Sequence, residues 1–433
     1  MVAPTSFFAD YGCHVRILEE IWTLQEAGHD VTVCTYHMGN DVPGIKIERS
    51  LDVPWHKGVQ VGSSRHKLYF DAVLGLKTLQ VAQRLKPDII HAHIHEGALI
   101  GWATQWLLRL TGGKRPPLIF DFQGSMTSEM IDHHFLRQEG PFYKPALALE
   151  KTINRMADRI ITSTYNSAEI LRRDFNYPVE KIVTVADRVN AQRFRPPTTP
   201  AEREAAMRLK QELGIPAERK VVAYLGLLAP YQGTHVLLEA AQQLVKERDD
   251  VHFLVMGYPG VDSYRELANY LGLEGRVTFP GRIPYEEAPR YLAVGDIAVA
   301  PKMSLTEGAG KISNYMAMGL PVVASDIPVS REILGELGLY AEPGNSGQLA
   351  KRLNTLLNDA DLRQRLGAAG RKRAVTEMGW EGARRQMEQV YETALHKRMK
   401  VLKPVATPAA DSSIGYADGS GVEETLPTKR RAL

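Results

Sequence analysis

The feature that most restricts this chain is an alternation of short β-branched runs with longer helical segments, which runs through once and then starts again. In the first half, Val31 to Thr35 (VTVCT), Ile89 and Ile90, Leu118 to Asp121 (LIFD) and Arg159 to Thr162 (RIIT) read as buried strands. Between them Val15, Leu18 and Trp22 share one helical face, and Lys67 to Leu85 repeats that period. In the second half, Lys220 to Leu225, Val251 to Met256, Val277 to Phe279, Asp296 to Ala300 and Pro321 to Ala324 form a second set. Strands separated by helices build parallel sheets covered on both faces. Two doubly wound α/β domains in succession are therefore expected.

The join is expected at Arg193 to Pro200 (RFRPPTTP), which has three prolines and no apolar period. The expected layout is a first Rossmann-like domain over 1–195 and a second over 196–378. A helix over 379–399 would then follow. The segment 400–433, rich in Pro, Ala, Ser, Gly and Thr, is read as a disordered tail. In open sheets of this kind ligands bind at the carboxyl ends of the strands, so two facing sheets predict one shared cleft. The first strand is very short, as though residues were missing before Met1.

Charge excludes one class of partner. Lys plus Arg number 53 and Asp plus Glu 50, a net charge of +3, without the basic excess of a nucleic-acid binder. Two cysteines, Cys13 and Cys34, make neither a disulfide framework nor a paired zinc spacing and suit a reducing cytosol. The apolar stretch Ala98 to Leu110, broken by Gln105 and Arg109, is too short and polar to span a bilayer. A soluble protein, at most lying on a membrane surface, is expected.

Four loops could carry chemistry. Gly12, in FFADYGCH, stands where a strand turns into a helix, so backbone amides could approach an anion there; a tight turn needing glycine is the plainer alternative. His91, His93 and His95 alternate beside Glu96, and an extended backbone would point all three imidazoles one way. With no separated fourth ligand they are read as strand-end polar residues lining a cleft, and no metal is expected. Asp121 and Gln123 follow a buried strand, where Asp121 could either face the cleft or cap the next helix. The most informative segment is TEGAGKISNYMAMGLPVV, residues 306–323. Gly308, Ala309 and Gly310 let amides face a ligand, Glu307 offers a carboxylate for sugar hydroxyls, and Lys311 is the segment's only basic residue. Such a loop suits an anionic, hydroxyl-rich ligand. A lysine solvated in the first helical turn is the alternative.

With these residues in view, the chain resembles the glycosyltransferase family 4 enzymes across roughly residues 1 to 396. The likeness rests on PTSFFADYGCHVRILEE, PDIIHAHIHEGALIG, IFDFQGS, ADRIITSTYNSA, YLGLLAPYQGTHVLLEA, VHFLVMGYPG, VTFPGRI and EGAGKISNYMAMGLPVVASD, in that order. It implies a GT-B fold, with the 379–399 helix crossing back to the first domain, and transfer of a sugar from a nucleotide-diphosphate donor, with retention and without a metal or other cofactor. The acceptor stays unidentified: polysaccharide, lipid-linked or small molecule. A cytoplasmic location follows, with room for contact at the inner face of the membrane. In the family's acid–x7–acid motif the first acid holds donor-sugar hydroxyls and the second the ribose. Glu307 matches the first, and Asn314 stands near the second, one residue closer than usual.

The resemblance also implies donor contacts at Gly12, Gly226, Gly257, Gly308, Ala309, Gly310 and Lys311, with the base against Arg282 and Ile283. Asp121 and Gln123 would face the donor sugar and acceptor. The family's diphosphate-binding Arg and Lys positions are occupied here by Leu227 and Gln232, and the expected Pro-Asn/Asp-Gly-Val-Asp turn reads Ala186 to Asn190 (ADRVN). These departures keep open a catalytically weak nucleotide-sugar-binding regulator or scaffold of the same fold.

Overall fold

The computed structural model describes residues 1–52, 67–133, 135–305 and 307–395. The expected tail over 400–433, the end of the 379–399 helix and Thr306 lie outside the described residues. The first half forms a parallel sheet from β1 (Val2–Ala3), β2 (Thr32–Thr35), β3 (Lys46–Arg49), β4 (Ile90–His93), β5 (Leu118–Phe122), β6 (Arg159–Thr162) and β7 (Ile182–Thr184). Its order is β3-β2-β1-β4-β5-β6-β7. The second half forms another from β8 (Lys220–Leu225), β9 (Val251–Met256), β10 (Val277–Gly281), β11 (Ile297–Ala300), β12 (Val322–Ser325) and β13 (Gly338–Ala341), ordered β10-β9-β8-β11-β12-β13. The order reverses between β1 and β4 in one sheet and between β8 and β11 in the other, so the crevices of a doubly wound fold open there. The expectation of two successive parallel α/β halves holds.

The helices that matter for the site are α1 (Gly12–Glu26), α2 (Lys67–Leu85), α3 (Ile94–Leu110), α4 (Met126–Asp132), α5 (Tyr143–Asn154), α6 (Pro200–Glu212), α7 (Lys311–Ala317) and α8 (Trp380–Leu395). The proline-rich join ends by starting α6 rather than as featureless linker. Pro200 takes the first helical position and Thr199 and Glu202 form a reciprocal capping box, worth about 1 kcal/mol. Phe194, inside the join, is fully buried.

One apolar core runs between the halves. Ile17, Ile21 and Leu24 of α1 pack in it with Met387, Val390 and Tyr391 of α8, so the last helix lies on the first domain, as the GT-B reading implies. Separate outer cores lie under the remaining helices of each sheet. No described helix is long and apolar enough to cross a membrane.

Candidate active site

The carboxyl ends of both sheets line one cavity of about 340 Å³. Twelve of the expected residues stand on its wall: Gly12, Gln123, Gly226, Gln232, Gly257, Ile283, Glu307, Gly308, Ala309, Gly310, Lys311 and Asn314. Asp121 and Arg282 do not.

The turns after β9 and β11 that line the cleft have little room for side chains. A Cβ at Gly308 would stand 2.6 Å from Oδ2 of Asp187, and one at Gly257 would stand 1.8 Å from the carbonyl oxygen of Gly226. The loop's carboxylate is held by a lysine that sequence reasoning missed. Buried Lys302, two residues past β11, donates to Glu307 Oε2 at 2.9 Å and to the Gly308 carbonyl at 2.7 Å. Its position just after a buried strand, five residues before the acid, was the available signal.

Lys311 is no solvated helix-start lysine. Its Nζ donates to Gln232 Oε1 at 2.8 Å and lies 4.5 Å from the centre of the Tyr224 ring. Burial, with Lys302 adding, pushes its ammonium down to about 7. Four residues on, the buried Tyr315 hydroxyl accepts from the Leu225 amide at 2.8 Å and ties α7 to the end of β8. That link fixes Lys311 against the Gly226 turn.

Asp121 is also not where the sequence suggested. It is fully buried on β5, beside its register partner His93 on β4, and Arg16 comes between it and the cleft. Arg16 donates Nε to Asp121 Oδ2 at 2.8 Å and Nη2 to Asp121 Oδ1 at 3.2 Å. Its Nη1 reaches Val185 O and Asp187 Oδ1, and Nη2 also pairs with Glu20 at 3.0 Å. Burial alone would raise the Asp121 carboxyl, but Arg16 and His93 hold it well below its ordinary range. The capping alternative fails as well, because the Ser125 side chain caps α4. Arg16, with its donors engaged in this way, has no hand free for a ligand.

The three histidines part company. His91 and His93 share a face of β4, but the strand ends there and Ile94 turns at φ +53°. His95 consequently sits in α3, 3.4 Å from Glu150 of α5. Glu150 in turn accepts from the amides of Met126 and Thr127 at the start of α4.

The two halves meet across Asp10. Arg282 donates Nε to Asp10 Oδ2 at 3.0 Å, and the Tyr285 amide reaches Oδ1 at 2.9 Å. Arg282 is thus engaged between domains while its neighbour Ile283 lines the cavity. On the first-domain wall, Lys67 pairs with Glu96 at 2.7 Å. Burial, partly offset by Lys67, pushes the nearby Glu129 carboxyl up to about 7.

The family model described as Glycosyl transferase 4-like domain matches residues 11–187, and that described as Glycosyl transferases group 1 matches 207–373. A D-inositol 3-phosphate glycosyltransferase of Corynebacterium glutamicum is 26% identical over 333 residues, covering 74% of this chain and 76% of that one. Sucrose-phosphate synthase from Thermosynechococcus elongatus superposes with a TM-score of 0.75 at 20% identity, covering 92% of this chain and 98% of that one. Anabaena HepE in complex with UDP-glucose superposes at 0.70 and 18% identity, covering 90% and 98%. Two matched halves, two facing parallel sheets and a glycine loop with its acid on a shared cleft lead to one conclusion: the chain belongs to glycosyltransferase family 4 and is a glycosyltransferase of the GT-B fold.

Proposed function

We propose that this glycosyltransferase moves a hexosyl or related group from a nucleoside-diphosphate sugar to a hydroxyl acceptor, with retention at the anomeric carbon. The observation that carries the reading is the pair of lysines flanking the glycine loop, one on Glu307 and one on Gln232. Lys311, the amides of Gly308 to Gly310, the turns at Gly226 and Gly257 and the α1 start at Gly12 would hold the diphosphate. Glu307, held by Lys302, would take donor-sugar hydroxyls, Asn314 the ribose and Ile283 the base, with Arg282 beside it on Asp10. Gln123 would face the sugar and acceptor from the first domain. Asp121 acts only through Arg16, as a positioning residue.

In the transfer the anomeric C–O bond to phosphate breaks and its electron pair leaves with the diphosphate. The acceptor hydroxyl bonds to the same face and its proton passes to the departing phosphate oxygen. Lys311 stabilises the charge that grows there, so no divalent ion is needed at the diphosphate. The acceptor would lie against Lys67, Glu96 and Glu129. Peripheral contact at the inner face of the membrane would draw on exposed leucines of α2 and α3 such as Leu68 and Leu110.

A thermal-shift screen with UDP, GDP, ADP and their sugars tests the donor reading, since a ligand of the native state raises the melting temperature by mass action. One base series should raise it, and slow hydrolysis of the matching sugar nucleotide should follow. No shift with any of the six would overturn the proposal. A shift without hydrolysis or transfer would leave a binding protein instead.

A further inference from the structure

Beneath the cleft, a second constellation is not used by the transfer reaction. His91 and His93 stack on one face of β4, with ring centroids 4.7 Å apart and planes 18° apart. Helix α1 brings Glu20 onto the same spot, and all three side chains are at most 3% exposed. Glu20 Oε2 lies 3.8 Å from Nε2 of His91 and 4.0 Å from Nε2 of His93. Neither imidazole Nε2 nor Oε2 of Glu20 has a hydrogen-bond partner among the described residues. Buried polar atoms are ordinarily paired, so three unpaired ones within about 4 Å of Glu20 Oε2 call for an occupant.

The far atom of each group is held in place. Nδ1 of His91 meets the Tyr391 hydroxyl of α8 at 2.7 Å. Nδ1 of His93 lies 3.3 Å from Asp121 Oδ2. Oε1 of Glu20 lies 3.0 Å from Arg16 Nη2. This is how metal-bound histidines are fixed: the second ring nitrogen goes to a carboxylate or other oxygen and leaves the first for the metal. The formal charges agree. Arg16 faces the carboxylates of Glu20, Asp121 and the part-exposed Asp187, so a divalent cation at Glu20 would meet an excess of carboxylate.

The geometry points to a Zn²⁺ site in the first domain, formed by Nε2 of His91, Nε2 of His93 and Oε2 of Glu20. Asp121, Tyr391 and Arg16 orient these ligands from behind, and a water completes the tetrahedron. Candidate donor atoms of Glu20, His91, His93 and Asp121 all lie within 4.8 Å of one another. Ligands at about 2.0–2.2 Å from zinc stand roughly 3.4 Å apart in a tetrahedron, so each histidine needs to close on Glu20 by only about half an ångström. Two nitrogens and an oxygen suit zinc better than magnesium or calcium, which prefer oxygen alone. None of the three lines the donor cavity. The metal would pin α1, whose first residue Gly12 does line it, to β4 and, through Tyr391, to α8. Its role is structural.

The test uses the full chain, stripped with chelator, reloaded with Zn²⁺ and passed through gel filtration. One zinc per chain is expected, with a melting temperature that rises on loading and falls back with chelator, while Mg²⁺ gives no rise. Cobalt-loaded protein should show the strong visible bands of four-coordinate Co²⁺. Tyr391→Phe, which keeps the packing, should weaken zinc about 10–100-fold, the range for removing an outer partner. The double variant His91→Asn/His93→Asn should hold no zinc, and UDP affinity should be the same with and without metal. Less than a tenth of a zinc per wild-type chain, or a cobalt spectrum no different from the aquo ion, overturns the site. So does a folded double variant that binds zinc as tightly as wild type. Should that variant fail to fold, the wild-type cobalt spectrum alone decides.

Discussion

The ammonium of Lys311 lies 2.8 Å from Oε1 of Gln232, so the cation at this end of the cleft reaches it from α7 rather than from the turn after β8. At the two positions where the family's Arg and Lys are expected, this chain has Leu227 and Gln232, and Gln232 now accepts from the substitute charge. Lys311→Ala should weaken nucleoside diphosphate binding by about 1.5–3 kcal/mol, the range for hydrogen bonds to charged groups, and lower kcat as well. Gln232→Ala, which removes a partner but no charge, should cost less. Calorimetry on the two variants checks the order, and wild-type affinity in Lys311→Ala would remove the lysine from the diphosphate site.

The same lysine gives a pH dependence with a definite sign. Its pKa is pushed down to about 7 in the fold from an ordinary 10.5. Between those values the unfolded chain keeps a proton that the folded chain has lost, so this group makes stability rise with pH across that window. Diphosphate binding needs the charged form. Affinity should therefore fall as pH rises above 7, approaching tenfold per unit, and binding at pH 8 should take up nearly one proton. Calorimetry in two buffers of different ionisation enthalpy reads that uptake. Lys311→Arg, which stays charged, should abolish it.

The parts of the molecule legible in sequence were those whose burial leaves an apolar signature. KVVAYL and VHFLVM coincide with β8 and β9 because central parallel strands are covered on both faces. The pattern passed over β3 (KIER), β7 (IVT) and β13 (GLYA), edge strands that are only partly buried and lack such a run. In α1 the expected face of Val15, Leu18 and Trp22 was too simple, because the helix lies between the sheet and α8 and also buries Arg16, Glu19 and Glu20. The partners that hold Arg16 and Glu19, Asp121, Asp187 and Tyr285, come from more than a hundred residues away, so no local pattern shows why these charges are buried. Asp121 was misplaced for the same reason: its apparent freedom at a strand end is taken up by an arginine no local pattern could assign to it.

Glu307 and Lys302 should behave as a pair in catalysis. Glu307→Gln keeps the shape but removes the carboxylate assigned to sugar hydroxyls, so kcat should drop at least tenfold while affinity for the bare diphosphate barely changes. Lys302→Met should lower kcat similarly, since the unpartnered Glu307 is free to turn from the sugar. Steady-state kinetics beside diphosphate titrations separate the two effects. An equal loss of diphosphate affinity in Glu307→Gln would move the acid to the phosphates.

Arg16 tests the stability side of the site. It is 5% exposed and joins Asp121, Glu20 and Asp187 from β5, α1 and the loop after β7. Removing one partner of a buried ion pair leaves uncompensated charge and costs about 3–5 kcal/mol. Arg16→Met should therefore lower the denaturation midpoint strongly, and Arg16→Lys should recover only part of it, because an ammonium cannot reproduce the planar fork on Asp121. The double variant Arg16→Met/Asp121→Asn should be more stable than Arg16→Met alone, since it also removes a stranded carboxylate. Additive losses in urea denaturation would mean that the two side chains do not compensate each other. The donor cleft should respond indirectly: Asp187 Oδ2 lies 2.6 Å from where a Gly308 Cβ would stand, so releasing Asp187 from Arg16 loosens the wall of the glycine loop. In the Arg16→Met protein that remains folded, KM for the donor should rise more than kcat falls.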